Sequence, residues 1–467
     1  MKPSAKETPE PGAATLLVED LDAVEVPDAE LAEGAAGPMV GTFATTGVIQ
    51  LVQAVIGVLL ARILGPADRG ELAAVILWPT LLTVIGSIGL AQSATYHAAR
   101  ATRVGVVVGS TLSIVAVDSL VLVAIGWAIF PLVLGGHDSQ VVHNGQLFLT
   151  AFVPLNLLAI SMMSILNGSH RFAWFQSLRL VLIGVTVVGI GLLAATGRMT
   201  VASASGAYVG AYLVTAVLAL GVTVRLADGE IAFSRQAVRS LLGFGAKGAL
   251  SQSMWSLNER ADQLVISIFF SATSLGLYVV AVTLTSLTTL IGFSFAVVAL
   301  PLIARLDVAA ERRRIARLIV SATFVCATLV SLPIFLLEPT LIRFFFGEAF
   351  VDAAGVGRVL LVAGVVFGLN RVLEAVLQAV GRPLESSIGE GVALVVTAAG
   401  LAALLPALGI MGAGITSLLA YSASSAFMVR RAARALDMPA LSLLKPERGM
   451  IGKVRSLTRL VPGFGQR

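Results

Sequence analysis

Apolar runs of about twenty residues, separated by short polar turns, recur about twelve times between Met39 and Arg434. A helix rising 1.5 Å per residue needs roughly 20 residues to cross the hydrocarbon of a bilayer. The pattern predicts helical spans over residues 39–64, 71–94, 104–134, 145–166, 175–196, 201–224, 241–270, 276–304, 315–337, 356–380, 384–406 and 409–430. The third run is long and must tilt or extend beyond the lipid. The fold class that follows is all-α, a polytopic membrane protein of about twelve transmembrane helices.

Composition supports this reading. Only 13% of the 467 residues are charged, and mean hydropathy is +0.92. The single cysteine, Cys326, lies in an apolar run and reads as a small core residue, so no internal disulfide is available. The four histidines are scattered, no His, Cys and carboxylate cluster has metal-ligand spacing, and neither a metal nor a cofactor is expected.

Charge sets the orientation. With the N-terminus inside, the cytoplasmic loops carry Arg100, Arg103, Arg171, Arg225, Arg235, Arg239, Arg305, Arg312, Arg313, Arg314, Arg317 and Arg382. The opposite side carries Arg62, Arg69, Arg198, Arg343 and Arg358. With the C-terminal tail included the bias is about fourfold, and it persists loop after loop. An even number of helices with both termini in the cytoplasm is therefore expected. Residues 1–38 are acidic and Pro-rich and lack the basic start and apolar centre of a signal peptide. They read as a disordered cytoplasmic tail, with Leu16–Val26 a lesser candidate for a short partner-binding segment. Residues 435–467 are basic and contain Pro439, Pro446 and Pro462. They are expected to rest on the anionic inner leaflet, each cation contributing roughly 1 kcal/mol. That is anchoring to a bilayer and does not point to nucleic acid.

The two halves resemble each other. Sliding the chain by 206 residues sets Gly70 on Gly276, Leu81 on Leu287, Thr83 on Thr289, Ile85 on Ile291 and Gly86 on Gly292. Gly168-Ser-His-Arg171 echoes Ala379-Val-Gly-Arg382 at a slightly larger offset. Six helices per half give parallel repeats related by an axis along the membrane normal, around a central cavity. The divisions predicted are a tail (1–38), an N-lobe (39–225), a C-lobe (226–434) and a second tail (435–467).

Two spans carry charge. The seventh contains Lys247, Gln252, Asn258, Glu259, Arg260, Asp262 and Gln263. One charge at the bilayer centre costs roughly 3 kcal/mol on insertion scales, so this helix must face a wet cavity or pair its charges. Gln252, Trp255, Glu259 and Asp262 share a face at helical spacing, and Arg260 lies about 100° round from Glu259. The tenth span holds Asn370, Arg371, Glu374 and Gln378, with Arg371 and Glu374 spaced to pair at i, i+3. Two readings stay open. These groups are either intramembrane salt bridges that fix helix packing, or the lining of a cavity for an anionic substrate. In the second reading Arg260, Arg371, Lys247, Asn258 and Asn370 bind substrate, and Glu259, Asp262 and Glu374 pair the arginines or carry a coupling proton. Arginine suits phosphate because its planar fork donates two hydrogen bonds. Gln50, Gln53, Asp118, Glu385 and Glu390 read first as helix-to-helix hydrogen-bonding groups. Gly243–Gly248 matches GxGxxG but opens a membrane helix with no preceding strand, and no Walker A lysine motif exists.

Ala61-Arg-Ile-Leu-Gly-Pro-Ala-Asp-Arg-Gly70 and the stretch after it resemble the first two helices of the polysaccharide-export branch of the multidrug/oligosaccharidyl-lipid/polysaccharide (MOP) exporter superfamily, the Wzx-type flippases. Asn167–Arg171, Asn258–Asp262 and Gly381-Arg-Pro383 resemble the same family at matching places, and the likeness covers roughly residues 40–430. The resemblance implies two six-helix lobes around a central cavity. It implies an alternating-access flippase, not an enzyme, for a polyprenyl-pyrophosphate-linked oligosaccharide (an O-antigen, exopolysaccharide or teichoic-type unit) in a bacterial cytoplasmic membrane. It also implies company with other polysaccharide-assembly membrane proteins. By analogy Arg260 and Arg371 would hold the pyrophosphate. Lipid II flippases of the superfamily carry two further helices, for which there is no room after Arg434. Cation-coupled drug exporters also have twelve helices, and Glu259, Asp262 and Glu374 keep that alternative open. A membrane-embedded saccharide polymerase or ligase would need a larger outside loop than Glu338–Gly355. A non-transporting scaffold would depend on its tails.

Overall fold

The computed structural model describes residues 29–133, 139–227, 230–306 and 308–445. Every regular element among them is helical, as lipid demands of a chain whose backbone N–H and C=O groups have no water to bind. In order these are α1 (Ala29–Gly86), α2 (Leu90–Arg100), α3 (Val104–Val133), α4 (Ser139–Gly168), α5 (Phe172–Ala195) and α6 (Val201–Leu226). There follow α7 (Arg235–Phe269), α8 (Ala272–Ala304), α9 (Ala309–Phe345), a short 3-10 turn (Glu348–Phe350), α10 (Ala353–Ala379), α11 (Pro383–Leu408), α12 (Ile410–Ala435) and the short α13 (Ala440–Leu444). Side-chain hydroxyls cap several starts: Thr200 on α6, Ser234 on α7 and Ser271 on α8.

Among the described residues ten helices are long and apolar enough to cross a membrane. One of them, α1, is broken at Gly65, where φ is 74° and ψ 176°, a conformation open to glycine and closed to other residues. The pieces on either side, residues 29–64 and 66–86, are each long enough to cross a bilayer. Helix α7, 35 residues long, carries too much charge to register as an apolar span. With both taken into account, the described residues account for the twelve crossings predicted.

The tails differ in part from expectation. Helix α1 already begins at Ala29, so residues 29–38 are helical, as their alanines and glutamates favour. At the other end, Leu436 and Leu443 are buried against the bundle, with Met438, Ala440 and Leu444 packed beside them, while Asp437 and Leu441 stay exposed. Residues 1–28, with Leu16–Val26 among them, and residues 446–467 lie outside the described residues.

Two six-helix halves result. In the first, α4 is the central helix, packed on α2, α3 and α6. In the second, α10 is central, enclosed by α8, α9 and α12, with Leu361, Val372, Leu373, Val376 and Leu377 buried. The internal repeat is visible in the backbone. After α4, the N–H of His170 bonds Asn167 O and that of Arg171 bonds Leu166 O, with His170 left-handed at φ 57°. After α10, Gly381 bonds Gln378 and Arg382 bonds Leu377, with Gly381 at φ 76°. The same helix-ending turn thus closes equivalent helices.

The halves touch at both ends of the bundle. At the end bearing Gly65, a β-carbon on Gly70 would strike the Ala272 carbonyl and lie 2.9 Å from Gly276 N. A β-carbon on Gly276 would strike the Pro66 carbonyl and lie 3.1 Å from Gly70 N. The two repeat-equivalent glycines therefore meet reciprocally. Nearby, Arg62 donates to the Phe344 carbonyl at the end of α9. At the opposite end α2 lies on α7. Ser93 Oγ donates to Leu241 O at 2.6 Å, His97 Nε2 lies 2.8 Å from Ser240 Oγ, Tyr96 stacks on Phe244 with centroids 4.1 Å apart, and Gly89 packs against Gly245.

Candidate functional site

Between the seams lies a cavity of 510 Å³ built by α1, α5 and α6 from the first half and α7 and α8 from the second. Its size falls among small-ligand sites, roughly 300–1,000 Å³. Much of the wall is aliphatic, including Ile49, Leu60, Ile76, Leu182 and Val279. Three arginines, Arg69, Arg179 and Arg260, line it, against one carboxylate, Glu259. Around these stand Gln50, Gln53 and Gln263, the phenols of Tyr208 and Tyr212, and the hydroxyls of Thr186, Thr283 and Ser286.

The arginines come from three helices. Arg69 follows the Gly65 break; its Nε is buried without a hydrogen-bond partner, and Tyr208 is its electrostatic neighbour. Arg179, inside α5, is held by Gln176 Oε1 at 3.1 Å and Thr46 Oγ1 at 3.0 Å, with its guanidinium over the Phe175 ring. Arg260 makes no hydrogen bond or ion pair among the described residues and has Glu259 as its charged neighbour. Three forks around one space, two with donors to spare, offer hydrogen-bond geometry that a group with several anionic oxygens could accept.

Helix α7 divides its polar residues between two surroundings. Glu259, Arg260 and Gln263 face the cavity. Asn258 and Asp262 are buried and turn into the second half. Asn258 donates to Glu390 Oε2 at 3.0 Å and accepts from Thr397 at 3.2 Å. Asp262 accepts from Tyr278, from Ser417 at 3.4 Å and from the Gln263 N–H at 2.7 Å. Asp262 thus leaves the face that helical spacing shares with Glu259, because α8 and α12 supply its donors. The side chains of Gln252 and Trp255, expected on that face, lie outside the described residues.

Arg371 stands apart from the cavity lining, in an ion cluster within the second half. It pairs with Glu390, lies 2.9 Å from Glu374 Oε1 at ion-pair distance without hydrogen-bond geometry, and covers the Phe367 ring at 4.8 Å. It is 8% exposed. Asn370, also expected in the cavity, ties α10 to α12 through the Tyr421 carbonyl at 3.1 Å and Ser425. Lys247 is exposed, roughly 20 Å along α7 from Arg260 and two residues short of Gly245, which meets Gly89. Glu259 links the two sites, since Arg260, Arg371 and Glu390 all lie within its electrostatic reach. Among the described residues no group of three or more His, Cys, Asp or Glu is placed to hold a metal.

Two cavity arginines escape the sequence reading. Arg69 sits beside the turn at Gly65 and reads there as a loop charge; the break instead sends it inward. Arg179 has a legible signal, a lone cation inside an otherwise apolar span. Gln50 and Gln53, read as helix-packing groups, face the cavity.

The seam at Gly65 bounds this cavity, which yields a first expectation. Gly70→Ala places a β-carbon against the Ala272 carbonyl, and overpacking of that kind costs about 1–3 kcal/mol. The seam is expected to part. A water-soluble thiol reagent should then label a cysteine at Thr283 about tenfold faster, at unchanged protein abundance. Unchanged labelling would show that the glycine contact does not hold that end shut.

The sequence and fold also match known proteins. A profile of the family described as "Polysaccharide biosynthesis protein" matches residues 40–307. No curated protein sequence matches. Among solved structures, the lipid II flippase MurJ in an inward closed conformation superposes with a TM-score of 0.71 at 14% identity, over 91% of this chain and 94% of that one. An inward-facing multidrug resistance MATE family transporter of the MOP superfamily gives 0.64 at 17% identity, over 83% and 95%. The MATE multidrug transporter DinF-BH gives 0.58 at 18%, over 88% and 98%. These likenesses are of fold. The profile covers more than half of the chain, and the chain belongs to the polysaccharide biosynthesis protein family.

Proposed function

We propose that the protein flips a polyprenyl-pyrophosphate-linked oligosaccharide across a bacterial cytoplasmic membrane by alternating access. The observation that carries this is the set of three arginines facing one cavity between the halves, with a single carboxylate among them. A pyrophosphate offers oxygens to several guanidinium forks at once. The glutamine, tyrosine and hydroxyl side chains suit sugar hydroxyls. The prenyl tail stays in the bilayer while the head group crosses. With both termini in the cytoplasm, the Gly65 seam faces outward and the α2–α7 seam inward. MurJ, similar in fold, is a lipid II flippase, which supports the reading of a flippase. A drug exporter that binds cations would be served by an acidic cavity, and here cations outnumber carboxylates.

The test is the sidedness of the lipid-linked saccharide in a strain lacking the gene and any redundant copy. Accumulation on the inner face, reversed by the wild-type gene, is expected. Normal export in that strain, together with loss of dye or drug efflux, would replace this reading with the exporter.

A further inference from the structure

Glu338 takes no part in the site described so far. It lies in α9 and is fully buried, and neither carboxyl oxygen has a hydrogen-bond partner. Its place is a notch that exists because residue 357 of α10 is glycine: a β-carbon there would collide with Glu338 Oε1 and lie 2.9 Å from its carboxyl carbon. Ala281 of α8 borders the same notch at 3.5 Å. An isolated carboxylate in such surroundings is far costlier than the neutral acid.

The charged groups around it can be named. Helix α8 contributes no charged side chain; its one ionisable group near the notch, Tyr278, donates to Asp262. On α9 the nearest is Arg343, which is exposed and bound to Glu348, 2.5 and 3.0 Å away. Helix α10 brings Arg358, within electrostatic reach of Glu338 but bonded elsewhere. Arg358 Nε donates to the Phe335 carbonyl at 3.3 Å, with its guanidinium over the Phe335 ring. That carbonyl is available because the residue four positions on is Pro339, which has no N–H to give it.

We propose that Glu338 is a proton-binding site whose occupancy controls opening at the Gly65 end of the bundle. With the proton bound, the acid sits neutral in the glycine notch and Arg358 caps the Phe335 carbonyl, as observed. When the proton leaves to the outer medium, the carboxylate draws Arg358 from that carbonyl. The end of α9 then loses its tie to α10 at Pro339, where its own ladder is interrupted. Five residues on, the Phe344 carbonyl holds Arg62 of the first half, so movement of this segment loosens the contact between halves. The proposal rests on the protein being an alternating-access transporter and not on the identity of its substrate.

The experiment reads accessibility, so it stands whether or not the saccharide reading does. In a Cys326→Ser background with Ser286→Cys in the cavity, labelling by a membrane-impermeant thiol reagent from outside is followed from about pH 5 to about pH 8, where an ordinary exposed carboxylate is already ionised. Divided at each pH by the rate of the same reagent with a free thiol, which removes the ionisation of the thiol itself, the rate is expected to rise with pH by about fivefold or more, the lower end of ordinary coupling. In Glu338→Gln it should stay flat at the low-pH level. A pH response that survives this substitution, or none in the parent, would overturn the proposal. If Glu338→Gln is not produced, Arg358→Gln gives the second reading: it too should be flat, and a parental response in it would overturn the proposal. Infrared spectra of the purified protein in lipid supply an independent check, since Glu338→Gln should remove one protonated-carboxyl C=O band at low pH, and an unchanged band would overturn it.

Discussion

Arg260→Ala is expected to abolish flipping while leaving the protein as abundant and as stable as wild type. Both halves of that expectation follow from where the side chain is. Arg260 faces the cavity and makes no hydrogen bond or ion pair among the described residues, so its removal leaves no protein group unpaired. Its loss is felt only when an anion arrives. Truncating one member of a buried, hydrogen-bonded charge pair costs about 3 kcal/mol, or roughly 100-fold in affinity. Arg260→Lys keeps the charge but loses the fork and should recover only part of the activity. Inner-face accumulation of lipid-linked saccharide, set against protein level in the same membranes, checks the prediction. Full export by a well-expressed Arg260→Ala protein would remove this arginine from the substrate site.

The opposite outcome is expected at Arg371. It sits between Glu374 and Glu390, and Asn258 completes the cluster from α7. Arg371→Ala leaves two acidic groups without their cation inside the second half. Breaking a buried pair in this way destabilises by about 3–5 kcal/mol, whereas neutralising all members together is far better tolerated. Abundance and thermal stability in detergent should therefore fall for Arg371→Ala. They should recover when Glu374→Gln and Glu390→Gln are added to Arg371→Met. Wild-type abundance with lost export in the single variant would instead assign Arg371 to substrate.

These two arginines mark how far the sequence could be read. Span length and apolarity depend only on local composition, so the number of crossings, the fold class and the charged character of α7 and α10 are legible. The 206-residue offset between Gly70 and Gly276 pointed to the repeat, and both glycines now define a seam. Which wall a charge faces is a tertiary matter. Helical spacing put Asp262 beside Glu259, but Tyr278 and Ser417 turn it into the second half. Arg371 and Arg260 look equivalent as cations in spans. The carboxylate that separates them, Glu390, comes from α11 and has no marker in the sequence near Arg371. Arg69 needed the direction of the chain after Gly65, which no periodicity contains.

The reciprocal meeting of Gly70 and Gly276 is what a two-fold axis produces when a residue lies near it. In the language of oligomers the contact is isologous: each half offers the other the same patch. This end of the single chain is thus closed as a symmetric dimer of its own halves would be, and neither glycine owns the contact. Once one added methyl has forced the two backbones apart, a second at the equivalent position finds the space already made. The costs of Gly70→Ala and Gly276→Ala are therefore shared, and together they amount to less than their sum.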